Sequence, residues 1–98
     1  MAGRPSKLSE TDRAQSLQGL PGWDYSAGEA AIKKTYKFSD FSEAWAFMTR
    51  AALLAEKIDH HPEWFNVYNR VEVKLTTHDA DGVTGLDIEM ATAMESFS

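Results

Sequence analysis

Two runs of aromatic and β-branched residues, 64–68 and 71–77, constrain the fold more than any other feature of this sequence. Such residues suit the pleated surface of a sheet. The pair Asn69-Arg70 lies between the runs, and Asn tolerates the left-handed backbone that a two-residue turn needs. The pattern therefore predicts a β-hairpin in which the residues on either side of this pair oppose each other.

The alternation within the hairpin predicts which face is buried. With Tyr68 opposite Val71, Trp64 falls opposite Leu75. One face then consists of large apolar side chains, as in a sheet that is covered on one side only. These side chains are Trp64, Tyr68, Val71, Val73 and Leu75.

Helix and strand patterns alternate along the rest of the chain. The sequence predicts a helix capped by Ser9, a helix that begins after Asp40 and ends near Asp59, and a helix capped by Thr84. Strands are predicted at 23–26 and 31–38. The order helix, strand, strand, helix, strand, strand, helix predicts one α+β domain, residues 1–98, with an antiparallel sheet.

The helix that follows Asp40 carries two apolar stripes at helical spacing. One consists of Phe41, Ala44, Trp45, Met48, Ala52 and Ala55, and the second consists of Phe47, Ala51, Leu54 and Ile58. Because a helix on a small domain needs only one buried face, we expect the second stripe to pack against another subunit. The alternative is a helix buried on both sides in the core of its own chain.

Composition excludes several classes of protein. The chain has no cysteine for a disulfide, a thiolate metal site or a thiol nucleophile. Its formal net charge of −5 argues against direct binding of nucleic acid. No apolar run approaches the roughly 20 residues of a membrane span, and residues 1–7 lack the apolar stretch of a secretory signal. We therefore expect a cytoplasmic protein with a flexible tail at 1–7.

All three histidines lie at the outer ends of the predicted hairpin. In one continuous strand, His61 and His78 would be about 55 Å apart, at about 3.3 Å per residue. In the hairpin, His61 is level with His78, and His60 is adjacent in sequence. The hairpin therefore predicts a single cluster of three imidazoles.

Carboxylates surround the predicted cluster. Glu56 precedes His60 by one helical turn, so the two share a helix face if the helix extends that far. Asp59 and Asp79 each neighbour a histidine in sequence. Imidazoles beside carboxylates can donate and accept protons near neutral pH, as general acid–base catalysis requires. Taken singly, each of these residues also has an ordinary explanation, as a helix end, a turn former or a solvated side chain.

One further pattern covers most of the chain. It consists of Phe47-Met48-Thr49-Arg50, Ala55, the run Glu-Lys-Ile-Asp-His-His-Pro-Glu-Trp-Phe-Asn-Val-Tyr-Asn at 56–69, Val71, Val73, Leu75, Thr77-His78, Gly82, Thr84 and Asp87. The combination of His-His-Pro with a Thr-His at this separation is specific. In these positions the chain resembles the pterin-4a-carbinolamine dehydratase family.

This resemblance implies a fold, an assembly and a reaction. The implied fold has helices on one face of a four-stranded antiparallel sheet, and the implied assembly consists of dimers that pair into tetramers. The implied reaction dehydrates 4a-hydroxytetrahydrobiopterin to quinonoid dihydrobiopterin, without a metal or another cofactor. It recycles the cofactor of aromatic amino-acid hydroxylases.

The resemblance also implies the site residues. The implied catalytic residues are Glu56, His60, His61 and His78, and the implied substrate contacts are His61, Asp59, Trp64, Thr77 and Asp79. Loss of the 4a-hydroxyl group needs one acid and one base. We expect His60 and His78 to form this pair, with either of them as the acid. Glu56 would orient the pair, and His61 would bind the pterin.

Two other functions fit the sequence. Animal members of the family also act as dimerisation cofactors of a homeodomain transcription factor. The resemblance implies that the helix that here spans 41–57 would serve this role, which would add a nuclear location. A zinc enzyme is the other alternative, with the histidines and Asp59 or Asp79 as ligands. Against zinc, adjacent histidines before a proline rarely supply two well-directed ligands.

Overall fold

The computed structural model describes residues 5–98 and contains three helices and four strands. The helices are α1 (Glu10–Gln18), α2 (Phe41–Ile58) and α3 (Gly85–Phe97), and the strands are β1 (Asp24–Ser26), β2 (Ala31–Lys37), β3 (Glu63–Val67) and β4 (Arg70–Leu75). A short 3-10 turn, His78–Ala80, follows β4. The strands form one antiparallel sheet in the order β1-β2-β4-β3. The predicted α+β fold and its element order are confirmed.

The predicted tail at 1–7 lies partly outside the described residues, which begin at Pro5. Residues 5–7 have no regular secondary structure. The backbone is held immediately afterwards, because the N–H of Leu8 donates to the carbonyl oxygen of Val83 at 2.8 Å. Flexibility of the tail stays a prediction.

The sheet buries one face and exposes the other. The buried side chains alternate along the two central strands and are Ile32 and Tyr36 on β2 and Val71, Val73 and Leu75 on β4. The residues between them, such as Lys33 and Glu72, are exposed. Helix α2 packs against β4 and against α3. Within residues 5–98, no helix is both long enough and apolar enough to cross a membrane.

The predicted hairpin forms, but its turn lies one residue earlier than predicted. Val67 pairs with Arg70, so the turn residues are Tyr68 and Asn69. Tyr68 adopts a left-handed backbone conformation with a φ of 52°. The side chain of Asn66 closes the turn by donating to the carbonyl oxygens of Tyr68 and Arg70, at 3.1 and 2.9 Å. These two side-chain bonds stabilise a turn at Tyr68 and Asn69, and they account for the earlier position.

The earlier turn changes the pairing partners but not the faces of the strands. Trp64 pairs with Val73, so the predicted pairing with Leu75 is wrong. A displacement by two residues keeps each side chain on its face, whereas a displacement by one would reverse all of them. Trp64 therefore still packs towards the core, while Tyr68 is exposed at the turn.

Helix α2 buries the stripe that was predicted to face another subunit, and that prediction is wrong. Residues of this stripe are buried in the core or pack against it: Phe47, Ala51, Leu54 and Ile58. In the other stripe, Ala44 and Ala55 are buried, but Phe41 and Trp45 are exposed. The fully buried residues of α2 therefore come from both stripes, so the buried face lies between them.

A polar network joins the end of α3 to β2. Glu95 Oε2 accepts hydrogen bonds from Lys34 Nζ at 2.7 Å, from Trp23 Nε1 at 3.3 Å and from the Tyr36 hydroxyl. Partial burial raises the pKa of Glu95, but the hydrogen bonds from Lys34 and Tyr36 outweigh this effect, so the pKa lies below its usual value.

Candidate active site

The three histidines meet where β3 begins and β4 ends. Because Glu63 on β3 pairs with Lys74 on β4, the segments just before β3 and just after β4 are adjacent. A cavity of about 290 Å³ lies there, lined by Asp59, His60, His61, Thr76, Thr77, His78 and Asp79. Its volume is near the lower end of the range for small-molecule sites. The structure thus brings together the histidines, Asp59, Thr77 and Asp79.

The end of α2 directs His60 and His61 to different environments. Asp59 caps the helix in the left-handed conformation, with φ 53° and ψ 46°. This reversal turns His60 inwards, where it is 5% exposed, and leaves His61 at the surface with a side chain that is 52% exposed. The two adjacent histidines are therefore suited to different tasks.

Glu56 contacts His61 and not His60. Glu56 Oε2 lies 2.5 Å from His61 Nε2. Glu56 and His60 do not share a helix face, because α2 ends at Ile58, before it reaches that histidine. Since both partners are exposed, this pair contributes no more than about 1 kcal/mol to stability.

His60 meets a carboxylate from α3. Its Nε2 atom lies 2.5 Å from Oδ1 of Asp87, which is fully buried. The other carboxylate oxygen of Asp87 accepts from the Thr77 hydroxyl at 2.8 Å and from the Thr84 N–H at 2.9 Å. Such partners compensate a buried carboxylate for the loss of water. The sequence indicated Asp87 only as a residue of the family pattern, since no local pattern reports a contact across 27 positions.

His78 lies at the surface, and a short connection after β4 holds it there. Thr77 bridges to Gly82, with its N–H donating to the Gly82 carbonyl oxygen at 2.9 Å. The His78 side chain is 82% exposed, and its Nε2 atom lies 3.3 Å from Glu63 Oε2. Glu63 was not predicted as a site residue, because its approach to His78 depends on the register of the hairpin.

Each imidazole therefore has a carboxylate partner of its own. The pairs are His60 with Asp87, His61 with Glu56 and His78 with Glu63. Across the part of the chain from Pro5 to Ser98, no group of three or more His, Asp or Glu residues is arranged to hold a metal ion. The arrangement instead offers proton donors and acceptors at one cavity, as general acid–base chemistry requires.

Trp64 is not among the residues that line this cavity. It is half-buried on β3 and packs against the core. Its predicted contact with substrate stays a prediction.

Comparisons with known proteins identify a family. The family model described as pterin 4 alpha carbinolamine dehydratase matches residues 6–97. A protein of Novosphingobium aromaticivorans that is named for this dehydratase is 59% identical over 92 residues, which is 94% of this chain and 96% of that protein. One of Bradyrhizobium diazoefficiens with the same name is 59% identical over 92 residues, 94% of this chain and 92% of its own length.

A solved structure agrees in fold as well as in sequence. The crystal structure of a transcriptional coactivator/pterin dehydratase from Brucella melitensis matches with a TM-score of 0.91 and 52% identity. The match covers 94% of this chain and 98% of that one. The chain belongs to the pterin-4-alpha-carbinolamine dehydratase family.

Proposed function

We propose that this protein is a lyase that removes water from 4a-hydroxytetrahydrobiopterin and forms quinonoid dihydrobiopterin, as a step in the recycling of tetrahydrobiopterin. One observation carries the proposal. A cavity at the open end of the β3–β4 hairpin, opposite the turn, is lined by three imidazoles, each with a carboxylate partner. Membership of the family supports the choice of substrate.

The reaction needs two proton transfers and no change of oxidation state. The bond from C4a to the hydroxyl oxygen breaks, and the adjacent ring nitrogen loses its proton, so a carbon–nitrogen double bond forms and water leaves. Hydroxide is a poor leaving group. A protonated imidazole must therefore supply a proton to the departing oxygen, while a neutral imidazole removes the proton from nitrogen.

His60 and His78 are the proposed proton-transfer pair, because they come from different elements and both line the cavity. His61 is the proposed pterin-binding histidine, and Glu56 orients it through the contact at Nε2. The carboxylates of Asp59 and Asp79, which also line the cavity, can accept hydrogen bonds from the polar edge of a pterin. The Thr77 hydroxyl is engaged by Asp87 and Thr84, so its contact with the substrate stays a prediction. No metal or other cofactor takes part in the proposed reaction.

The activity can be measured directly. The purified protein is mixed with an aromatic amino-acid hydroxylase that generates the carbinolamine, and the quinonoid product is followed by its absorbance. The rate of conversion should rise in proportion to the concentration of the protein. A folded variant with both His60→Ala and His78→Ala serves as the inactive control. Conversion no faster than in that control would contradict the proposal.

We also propose that the protein assembles as dimers that pair into tetramers. Large apolar side chains are exposed in two places: Phe41, Trp45 and Leu53 on α2, and Phe65, Val67 and Tyr68 on or next to β3. Strand β3 is at the edge of the sheet, where a second copy can add its own edge strand. Both features are typical of interfaces between subunits.

The assembly is tested by sedimentation at micromolar concentration. The wild-type protein should sediment as a tetramer. Trp45→Glu should reduce it to dimers, because the substitution places a charge in the exposed stripe, whereas Lys57→Glu on the polar side of the same helix should not. A wild-type protein that sediments as a monomer would contradict the proposal.

The exposed stripe of α2 favours a second candidate function, as a protein-interaction module for a homeodomain transcription factor. The related structure from Brucella melitensis is described as a coactivator as well as a dehydratase. Co-purification with such a factor, lost in the Trp45→Glu variant, would support this role. Absence of co-purification would contradict this role and would indicate that the exposed stripe serves only the assembly of the homotetramer.

A further inference from the structure

The buried Asp87 carboxylate contacts a backbone N–H group, a threonine hydroxyl and the ring of His60. Its Oδ2 atom accepts from the backbone N–H of Thr84 at 2.9 Å and from the hydroxyl of Thr77 at 2.8 Å. Its Oδ1 atom lies 2.5 Å from His60 Nε2. The position of the proton between these last two atoms decides which nitrogen of the His60 ring carries hydrogen.

The hydroxyl protons beside Asp87 have one consistent arrangement. The N–H of Leu86 donates to Thr84 Oγ1 at 3.2 Å, and the two threonine hydroxyl oxygens are 2.8 Å apart. The Thr77 hydroxyl has one proton, which it donates to Asp87, so the Thr84 hydroxyl must donate to Thr77. Oδ2 therefore accepts from both neighbours, which leaves Oδ1 as the atom that decides how Asp87 meets His60.

In its ionised form the Asp87 carboxylate has only acceptor atoms, and His60 then donates to it through Nε2. Within residues 5–98 this is the only hydrogen bond of the His60 ring, so Nδ1 has no hydrogen-bond partner among these residues, and His60 is one of the residues that line the cavity. We propose that Asp87 is a positioning residue that holds His60 with its proton on Nε2, so that the lone pair of Nδ1 makes His60 the base of the dehydration. This inference rests on the proposed function and assigns the acid role to His78.

The opposite arrangement would reverse the role of His60. A neutral Asp87 that donated to Nε2 would place the ring proton on Nδ1, and His60 would then present a donor to the substrate. A neutral imidazole with its proton on Nδ1 cannot accept a proton from the pterin at that nitrogen. The location of one proton therefore separates the two assignments.

Asp87→Asn tests the inference because the site dictates how the amide is oriented. The backbone N–H of Thr84 needs an acceptor, so the amide oxygen occupies the Oδ2 position and the NH₂ group faces His60 Nε2. Nε2 must then accept, and the ring proton moves to Nδ1. The expected result is a kcat lower by about 10²–10⁴-fold with KM changed less than about threefold, since the substrate contacts remain.

The matched control is Glu89→Gln. It removes one carboxylate charge from the same helix at an exposed position, and it should leave kcat unchanged. The ¹⁵N NMR signals of His60 report the tautomer directly. They should show a proton on Nε2 in the wild-type protein and on Nδ1 in Asp87→Asn.

The NMR measurement separates this inference from the proposed function. If the wild-type protein does not dehydrate the carbinolamine, the proposed function fails, and so does the base role of His60; the tautomer result then tests only the contact of His60 with Asp87. If the protein is active, any of three results overturns the inference: a wild-type His60 with its proton on Nδ1, a doubly protonated ring at neutral pH, or an Asp87→Asn variant with wild-type kcat. Should that variant fail to fold, the wild-type spectrum still decides the tautomer.

Discussion

Replacing Asp59 by Gly and by Ala separates two roles that this residue combines at the end of α2. Asp59 holds a left-handed conformation, with φ 53°, that costs a residue with a Cβ atom roughly 1–2 kcal/mol. Glycine avoids this cost but loses about 0.5–1 kcal/mol through the greater freedom of its unfolded chain. The Gly variant should therefore be about 1 kcal/mol more stable than the Ala variant, or about 4–8 °C higher in Tm.

Both variants lack the carboxylate that lines the cavity, so both should bind substrate less well. A hydrogen bond to a charged group contributes about 1.5–3 kcal/mol, so kcat/KM should fall by roughly 10–150-fold in both. Thermal unfolding at a fixed protein concentration and the dehydration assay measure the two effects separately.

Asp81 provides the matched control. It has the same left-handed conformation, with φ 56°, and is not among the residues that line the histidine cavity. Its Gly and Ala variants should show the same difference in stability with unchanged kcat/KM. Equal stability of the Gly and Ala variants at Asp59 would refute the backbone argument, and unchanged kcat/KM in both would refute the contact with substrate.

Two further changes test the polar network around Glu95 and the packing of the core around Phe47. The pKa of Glu95 is below its ordinary value of 4.5, so the stability it contributes is present above that pH and lost as pH falls through the folded-state pKa. Glu95→Gln should lower the free energy of unfolding at neutral pH, and this free energy should then fall less steeply as the pH is lowered. Urea unfolding measured across this pH range tests the prediction, and an equal loss of stability in acid for the wild-type protein and the variant would contradict it. Phe47→Ala should cost about 3–5 kcal/mol, because the ring is buried and its centroid lies 4.7 Å from that of Tyr36. Thr49→Ala, at an exposed position of α2, should cost no more than about 0.5 kcal/mol, and equal urea midpoints for these two variants would refute the packing argument.

The fold could be predicted from the sequence wherever local chemistry and hydrophobic spacing agree. Ser9, Asp40 and Thr84 each cap the helix that they were predicted to cap. The histidine cluster was also predictable, although the turn was misplaced. A two-residue displacement in pairing keeps the strand faces and still brings the segment before β3 beside the end of β4.

The errors concern features that depend on side chains from elsewhere in the fold. The turn lies one residue earlier than predicted, and there the side chain of Asn66 donates hydrogen bonds to two carbonyl groups. The residue preference at Asn69 gives no sign of these bonds. The buried side of α2 depends on which residues the sheet and α3 cover, and these come from both apolar stripes. The contact of Asp87 with His60 joins α3 to the end of α2. In the sequence, Asp87 can be explained fully by its position in the capping box of α3, so nothing there indicates the contact.

The rate of dehydration in the single variants His60→Ala and His78→Ala tests most directly whether this cluster moves the protons. Stopped-flow absorbance measures formation of the quinonoid product, and circular dichroism confirms that each variant is folded. Each rate should be about 10²–10⁴-fold below that of the wild-type protein, because each variant lacks one acid–base group. Near-wild-type rates in both folded variants would contradict the account.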